Sequence, residues 1–322
     1  MRFETISDYA GAAAAMELFN DCSAMGETLF RPFGTPEDFH AFFLRGTEDV
    51  IPVALAGEGA FASGCYAKES GKAYVTFVGV RPGCRRRGAG RAALEALEAK
   101  LSALSGKRTY EISFFNPMNL TWTVPGFPGH DHPNAPGVDV SGGGYLFLKN
   151  CGYRDFACQN SYHIDLPDYQ LPEDIHNRAG ALRERGIQIT RYDPARHTGL
   201  EELMDSLGNP LWKKEILENA ARLDGGDPLL IVDQGGRAMG FTGPLAVQPS
   251  GRGYFTGIAV HPDCRGGGAG KVLFSSLCES LRDMGAGYMT LFTGEANPAR
   301  NIYKAAGFRI VRTWADMRKE VR

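Results

Sequence analysis

The stretch Gly251-Arg252-Gly253-Tyr254-Phe255-Thr256-Gly257-Ile258-Ala259-Val260-His261-Pro262-Asp263-Cys264-Arg265-Gly266-Gly267-Gly268-Ala269-Gly270 decides the reading of this chain, because it is written twice. Its other copy is Gly71-Lys72-Ala73-Tyr74-Val75-Thr76-Phe77-Val78-Gly79-Val80-Arg81-Pro82-Gly83-Cys84-Arg85-Arg86-Arg87-Gly88-Ala89-Gly90. Gly71 and Gly251, Val80 and Val260, and Gly90 and Gly270 are each 180 positions apart. A β-like run, a Val-x-Pro turn, an Arg-x-x-Gly-x-Gly loop and an amphipathic helix recurring in register indicate a tandem duplication. The length of 322 residues agrees, since a domain takes roughly 100–200.

Working outward, the first copy reads as strands at 3–6, 50–55, 60–66, 73–80 and 110–115, with an alanine-rich helix at 9–19. After its glycine loop, Ala92, Leu94, Leu97, Leu101 and Leu104 recur at helical spacing. The second copy repeats the order, with strands at 187–192, 229–233, 238–245, 254–260 and 288–293 and a helix carrying Val272, Phe274, Leu277 and Leu281. Leu166-Pro167-Asp168-Tyr169-Gln170-Leu171-Pro172 reads as a linker before a short helix at 175–185, which puts domains at 1–168 and 175–322. The expected class is α/β, each domain a mixed, mainly antiparallel sheet flanked by helices.

The copies differ after their strands at 110–115 and 288–293. Asn116 matches Asn297 at an offset of 181 but Lys149 matches Lys304 at 155, so the first copy holds 26 extra residues near 118–144. A Pro/Gly-rich loop of that length is functional or disordered. Its His130, Asp131, His132 and Asp139 read as substrate-recognising groups or turn formers of a lid. A metal is not expected, because no third histidine lies close and no His-Glu-x-x-His helix exists.

Composition narrows the partners. Apolar residues make up 43%, charged residues 22%, and the formal net charge is −2, which gives no general attraction for nucleic acid. No run reaches the ~18 apolar residues of a membrane span, and Met1-Arg2-Phe3-Glu4-Thr5 lacks the apolar core of a signal peptide, so a cytoplasmic protein is expected. The seven cysteines are scattered without a Cys-x-x-Cys pair, which indicates reduced thiols. Cys84 and Cys264 occupy equivalent loop positions without a recurring histidine partner and read as small packed side chains, not nucleophiles.

The Arg-x-x-Gly-x-Gly loops carry the chemistry. Glycines let main-chain N–H groups turn inward, and the positive end of the following helix adds to them, which makes a cradle for a diphosphate. The spacing fits neither a Walker loop nor the Rossmann fingerprint. Together with Asn297-Pro298-Ala299-Arg300-Asn301-Ile302-Tyr303-Lys304-Ala305-Ala306-Gly307-Phe308, these loops resemble the GNAT superfamily of acyl-CoA-dependent N-acetyltransferases. The resemblance is strong over 250–319 and 71–115 and weak elsewhere, and the tandem layout is similar to that of mycothiol synthase-like proteins.

The resemblance implies acetyl-CoA, or another acyl-CoA, bound by Ile258, Ala259, Val260, Arg265, Gly266, Gly267, Gly268, Ala269, Gly270, Lys271 and Asn297, with a direct attack by the amine. The first-copy equivalents are Val78, Val80, Arg85, Arg86, Arg87, Gly88, Ala89 and Gly90, where three arginines suit the phosphates. It further implies that Tyr303 is the general acid. Counting back from Lys149 and Lys304 puts Leu148 at that position in the first copy, so the second copy is expected to catalyse. The first is left to bind cofactor without turnover or to act as scaffold, unless Tyr145 substitutes. No Asp or Glu lies in 254–260, which points to deprotonation through water, with Glu295 as a candidate relay. The acceptor is a small-molecule or peptide amine, and the oligomeric state is open between monomer and homodimer. The competing readings are a non-catalytic acyl-CoA-binding regulator and an aminoacyl transferase of the peptidoglycan-bridge type.

Overall fold

A computed structural model describes residues 2–24, 29–57, 59–222 and 226–321. The chain forms two compact units, 1–160 with 311–322, and 161–310. It passes between them inside two strands, so the last residues of the second repeat are built into the first unit, whereas the sequence suggested one cut near residue 170.

In the first unit β1 (Glu4–Thr5), β2 (Val50–Gly57), β3 (Ala60–Ala67) and β4 (Lys72–Val80) pair antiparallel in chain order. Between β1 and β2 run α1 (Tyr9–Ala24) and α2 (Pro36–Phe43). The latter starts where Thr35 accepts from the Asp38 N–H and Pro36 takes the first turn, a side-chain cap followed by the residue that needs no donor there. These helices cover one sheet face with a cluster of buried phenylalanines, among them Phe19, Phe39, Phe43, Phe61 and Phe77.

The opposite face belongs to α3 (Ala89–Ser105), whose Ala93, Leu94, Leu97 and Leu101 make one buried stripe against Leu55, Ala62 and Val75. It ends at Gly106, whose left-handed φ of 67° lets its N–H return to the Ser102 carbonyl. Then β5 (Thr109–Ile112) lies parallel to β4.

The extra segment of the first copy is structured. Its β6 (Trp122–Val124) and β7 (Phe127–His132) form a hairpin, and β8 (Val138–Asp139) pairs farther on. After α4 (Gly143–Asn150) comes β9 (Arg154–Asp165), along which the chain leaves the unit.

The second unit continues with α5 (Glu173–Glu184), β10 (Ile187–Arg191), α6 (Leu200–Leu207), α7 (Pro210–Ala220), β11 (Leu230–Gln234) and β12 (Arg237–Gly243). Of the strand expected at 254–260 only β14 (Gly257–Val260) forms, and a two-residue β13 (Arg252–Gly253) lies before it, with 254–256 in neither. Strands β10, β11, β12 and β14 form an antiparallel sheet in that order. Leu230 and Val232 on β11 face a core shared with α5 and α8 (Ala269–Asp283), while Ile231 faces the core of α6 and α7, as strand alternation requires. The unit closes with β15 (Tyr288–Gly294), parallel to β13, and α9 (Arg300–Ala305).

The final strand, β16 (Arg309–Glu320), delivers its C-terminal part to the first unit. There it pairs antiparallel with β5 and with β8. Trp314 meets Trp122 edge-on at 5.1 Å. Lys319 reaches the buried Glu98 at 2.6 Å, and Arg318 the buried Glu111 at 2.6 Å beside Lys72 at 3.0 Å, so cations some two hundred positions away in sequence help to hold both carboxylates. Among the described residues no helix is long and apolar enough to cross a membrane.

Trp314 is fully buried, so Trp314→Ala is expected to cost about 3–5 kcal/mol. Urea unfolding followed by circular dichroism checks it, and an unchanged midpoint would show that the C-terminal strand does not brace the first unit.

Candidate active site

The site begins where two parallel strands part. Arg252 and Gly253 pair with Tyr288 and Met289, and no pairing follows among the described residues. The first copy does the same, with Ala73 and Tyr74 opposite Tyr110 and Glu111 and nothing beyond. In the first copy a bulge between the Ser63 and Gly64 pairings leaves Thr76 as the extra residue and bends β4 away. In the second, residues 254–256 leave the strand altogether.

The departing strand therefore has an open edge. The His261 N–H donates to Met239 O at 2.7 Å, and N–H directions alternate along a strand, so Ala259 faces β12 while the N–H groups of Ile258 and Val260 face the opening. Arg81 bonds to Gly59 O in the same way, which turns Val78 and Val80 outward in the first copy.

Both strands run into a one-turn 3₁₀ helix and then the glycine loop. Arg265 Nε donates to Val260 O at 2.8 Å and Arg85 Nε to Val80 O at 2.9 Å, so these arginines fasten the loop to the strand end. Gly268 and Gly88 start the helices with left-handed φ of 85° and 87° and supply no side-chain cap. In the second copy the N–H of Lys271 turns back to Gly268 O, while those of Ala269 and Gly270 make no bond to the described residues, the arrangement an anion needs. At Gly266 a left-handed φ of 83° is free, whereas Arg86 adopts a φ of 61° at the same place in the first copy. A Cβ on Gly270 would meet the end of the Ile302 side chain at 3.0 Å, so glycine eases the close approach of α9 to the helix start.

On α9, Tyr303 is buried against Phe274 at 5.0 Å and Tyr162 at 5.9 Å. Its phenol is pushed up to about 12, mainly by burial, with Tyr162 adding to the shift. The ring is buried, while the hydroxyl makes no side-chain hydrogen bond to the described residues and is not enclosed on every side.

Sequence reasoning missed the partner of Tyr254 and Thr256. Phe255 packs toward Phe274 and Tyr303, whereas its neighbours Tyr254 and Thr256 reach a different group. Both hydroxyls donate to one oxygen of Glu215 on α7, Tyr254 at 2.6 Å and Thr256 closer still. Burial first, and then the bond to Glu215, raise the Tyr254 phenol. Glu215 and Tyr254 line an open cleft of ≈ 560 Å³ with Glu218, Asn219 and Gln248. Only the Tyr254-x-Thr256 hydroxyls signalled this in the sequence, since their partner is 39 and 41 positions away.

The first copy has the frame without these groups. Leu148 is buried in the core, and the hydroxyl of Tyr145 donates to Asp155 and takes a bond from Lys149. On the other face Phe39 and Phe43 fill the space on α2, and Thr76 accepts from Asn116.

The remaining predicted residues divide. Asn297 accepts from the Ala299 N–H and so shapes the entry to α9, while Glu295 is exposed and its backbone carbonyl takes a bond from Arg300. His132 is buried against Trp122, its Nδ1 3.0 Å from the Asn134 carbonyl, and His130 stacks on Phe127. Asp139 holds the Ser141 N–H and hydroxyl and pairs with Arg312 at 3.1 Å. His130, His132 and Asp139, expected as substrate-recognising groups or turn formers of a lid, thus each have contacts within the first unit.

A splayed parallel pair followed by a glycine loop and helix, built twice, defines a tandem α/β fold of the acyl-transferring kind. The sequence model of the acetyltransferase (GNAT) family matches residues 15–119 and 197–308, over half of the chain, and the chain belongs to this family. A search of curated proteins finds no match. Among solved structures, a GCN5-related N-acetyltransferase from Sphaerobacter thermophilus is 15% identical over 99% of this chain and 96% of its own, with a TM-score of 0.62. A tandem GNAT protein from the clavulanic acid biosynthesis pathway is 16% identical over 99% and 98%, at 0.58. A glucosamine N-acetyltransferase region of a fungal multi-domain β-N-acetylglucosaminidase is 13% identical at 0.64, and this chain spans 38% of that protein. These likenesses are of fold.

Burial of Tyr303 makes a pH prediction. The folded state keeps this proton up to about 12, while an unfolded chain releases it near ~10. Its contribution to stability is therefore whole below pH ~10 and is lost as pH rises through that window. The difference in 295 nm absorbance between the parent and Tyr303→Phe should show one phenol ionising near pH 12; ionisation near 10 would mean a solvated ring.

Proposed function

We propose that the protein is an acetyl-CoA-dependent N-acetyltransferase that acts on a primary amine of a small molecule or peptide, with its chemistry in the second unit. The observation that carries this is that the segment leading into the open-edged strand has the Tyr303 phenol beside Phe255 and the Glu215 carboxylate beside Tyr254 and Thr256. The glycine cradle fits a diphosphate, because Gly266 through Gly270 present uncapped N–H groups that side chains would cover, and Lys271 adds a cation in the first turn. Acetyl-CoA, when bound, supplies the thioester that the amine attacks.

The chain's own groups supply the rest. The N–H groups of Ile258 and Val260 offer donors to an extended ligand arm and to the carbonyl oxygen that gains charge. Glu215 receives the proton of the acceptor's ammonium at its carboxylate, held in place by Tyr254 and Thr256. Tyr303 holds a proton for the departing thiolate. One proton leaves to solvent per turnover. With leucine at the acid position and phenylalanines on the acceptor face, the first unit is a non-catalytic partner in this reading.

Thiol release from acetyl-CoA, measured with pooled primary amines, tests the proposal. Tyr303→Phe should lower kcat by ~10²–10⁴-fold without weakening acetyl-CoA binding. Full residual turnover in that variant would place the chemistry elsewhere. Glu215→Gln, which still accepts both hydroxyl bonds, should raise KM for the amine and lower kcat while leaving KM for acetyl-CoA unchanged. Parent-like values in the amine would remove Glu215 from the reaction.

A further inference from the structure

The two loops carry their positive charge differently. In the first copy Arg86 and Arg87 lie within the loop, while the second has Gly266 and Gly267 at those positions. The space above the second loop is nevertheless taken by cations. A Cβ on Gly267 would overlap the guanidinium of Arg185, and one on Gly268 would lie 3.1 Å from Arg178 Cδ and 3.3 Å from its Nη1.

Both arginines belong to the face that α5 turns to the core. Ile175, Arg178, Leu182 and Arg185 are spaced three, four and three apart and so fall on one side of the helix. Ile175 and Leu182 are buried in the core shared with α8, and Leu182 approaches the same Gly267 position at 3.3 Å. The packing of these two residues therefore fixes where the arginines between and beyond them emerge. Asp174, four residues before Arg178, accepts from its Nε at 2.6 Å and leaves its terminal nitrogens toward the loop. The Arg185 side chain bonds to none of the described residues.

We infer that Arg178 of α5 and Arg185, the residue that caps its C-terminus, are cofactor-binding residues that grip the phosphate groups of acetyl-CoA over the second glycine loop, replacing the in-loop arginines of the first copy. The inference rests on the proposed reading of that loop. It also explains the triple glycine, because an arginine at 267 would occupy the place that Arg185 already fills. Planar guanidinium groups suit phosphate oxygens better than an ammonium does, since each can donate two parallel bonds.

Calorimetry with acetyl-CoA and with its 3′-dephospho form decides the matter. It should be run in an Arg86→Gln/Arg87→Gln background so that the second loop is read alone. Arg178→Gln and Arg185→Gln should each weaken acetyl-CoA by about tenfold or more, with Arg185→Lys recovering part of the loss. The same loss with the dephospho form assigns the arginines to the diphosphate, and its disappearance assigns them to the 3′-phosphate; either supports the inference. Equal affinity in the double variant and its background, with unchanged unfolding midpoints, overturns the inference and leaves the loop as the cofactor site. Failure of the unmodified chain to bind acetyl-CoA overturns both.

Discussion

The second unit depends on a parallel pairing that stops after two residues. Once β13 has paired with β15 at Arg252 and Gly253, the strand turns away and presents an unpaired edge at Ile258 and Val260. An open backbone edge forgoes the ladder hydrogen bonds that a paired strand would make there. The edge persists because the surrounding packing overdetermines it. Leu281 and Trp212 occupy the places that a side chain at 253 or 257 would need, while Arg265 pins the far end through the Val260 carbonyl. The positions of helix α8, Tyr303 and Glu215 all follow from where that strand is forced to go.

The duplication separates what the frame needs from what chemistry needs. Strand parting, strapping arginine, left-handed glycine and uncapped helix occur in both copies. The phenol and the carboxylate occur in one. Where the second unit leaves an open cleft beside Glu215, the first packs Phe19, Phe39, Phe43 and Phe61 into mutual contact. Each such ring removes a large apolar area from water and favours the folded state. The first copy has thus gone toward stability on the face where the second keeps polar groups accessible, the usual opposition between a tight core and a working site.

The repeated loop and the contrast of Tyr303 with Leu148 could be read from sequence, since both depend on local spacing. The strand break at 254–256 could not, because Tyr254, Phe255 and Thr256 are good strand formers and only the three-dimensional parting of β13 from β15 interrupts them. Glu215 escaped for a related reason, its helix being separated from the strand by β11 and β12. That His132 packs on Trp122 and Asp139 pairs with Arg312 is likewise set by tertiary contacts and not by local spacing. The residues that close the first unit come from the chain's far end, and nothing local to Glu98 or Glu111 signals that Lys319 and Arg318 will meet them.

The buried phenol limits how the proposed reaction can end. A phenol at about 12 that hands its proton completely to a thiolate of ordinary basicity, near ~8.5, works against roughly 5 kcal/mol. Tyr303 is thus better suited to donating a hydrogen bond that strengthens as charge develops on sulfur than to delivering a free proton beforehand. The same burial that makes the phenol a reluctant acid keeps it protonated at every pH at which an amine is reactive, so the donor is always in place. Glu215 complements it from beside Tyr254 and Thr256, where its open cleft gives a released proton a path to water. Proton removal there and hydrogen-bond donation at Tyr303 can therefore proceed without sharing a common group.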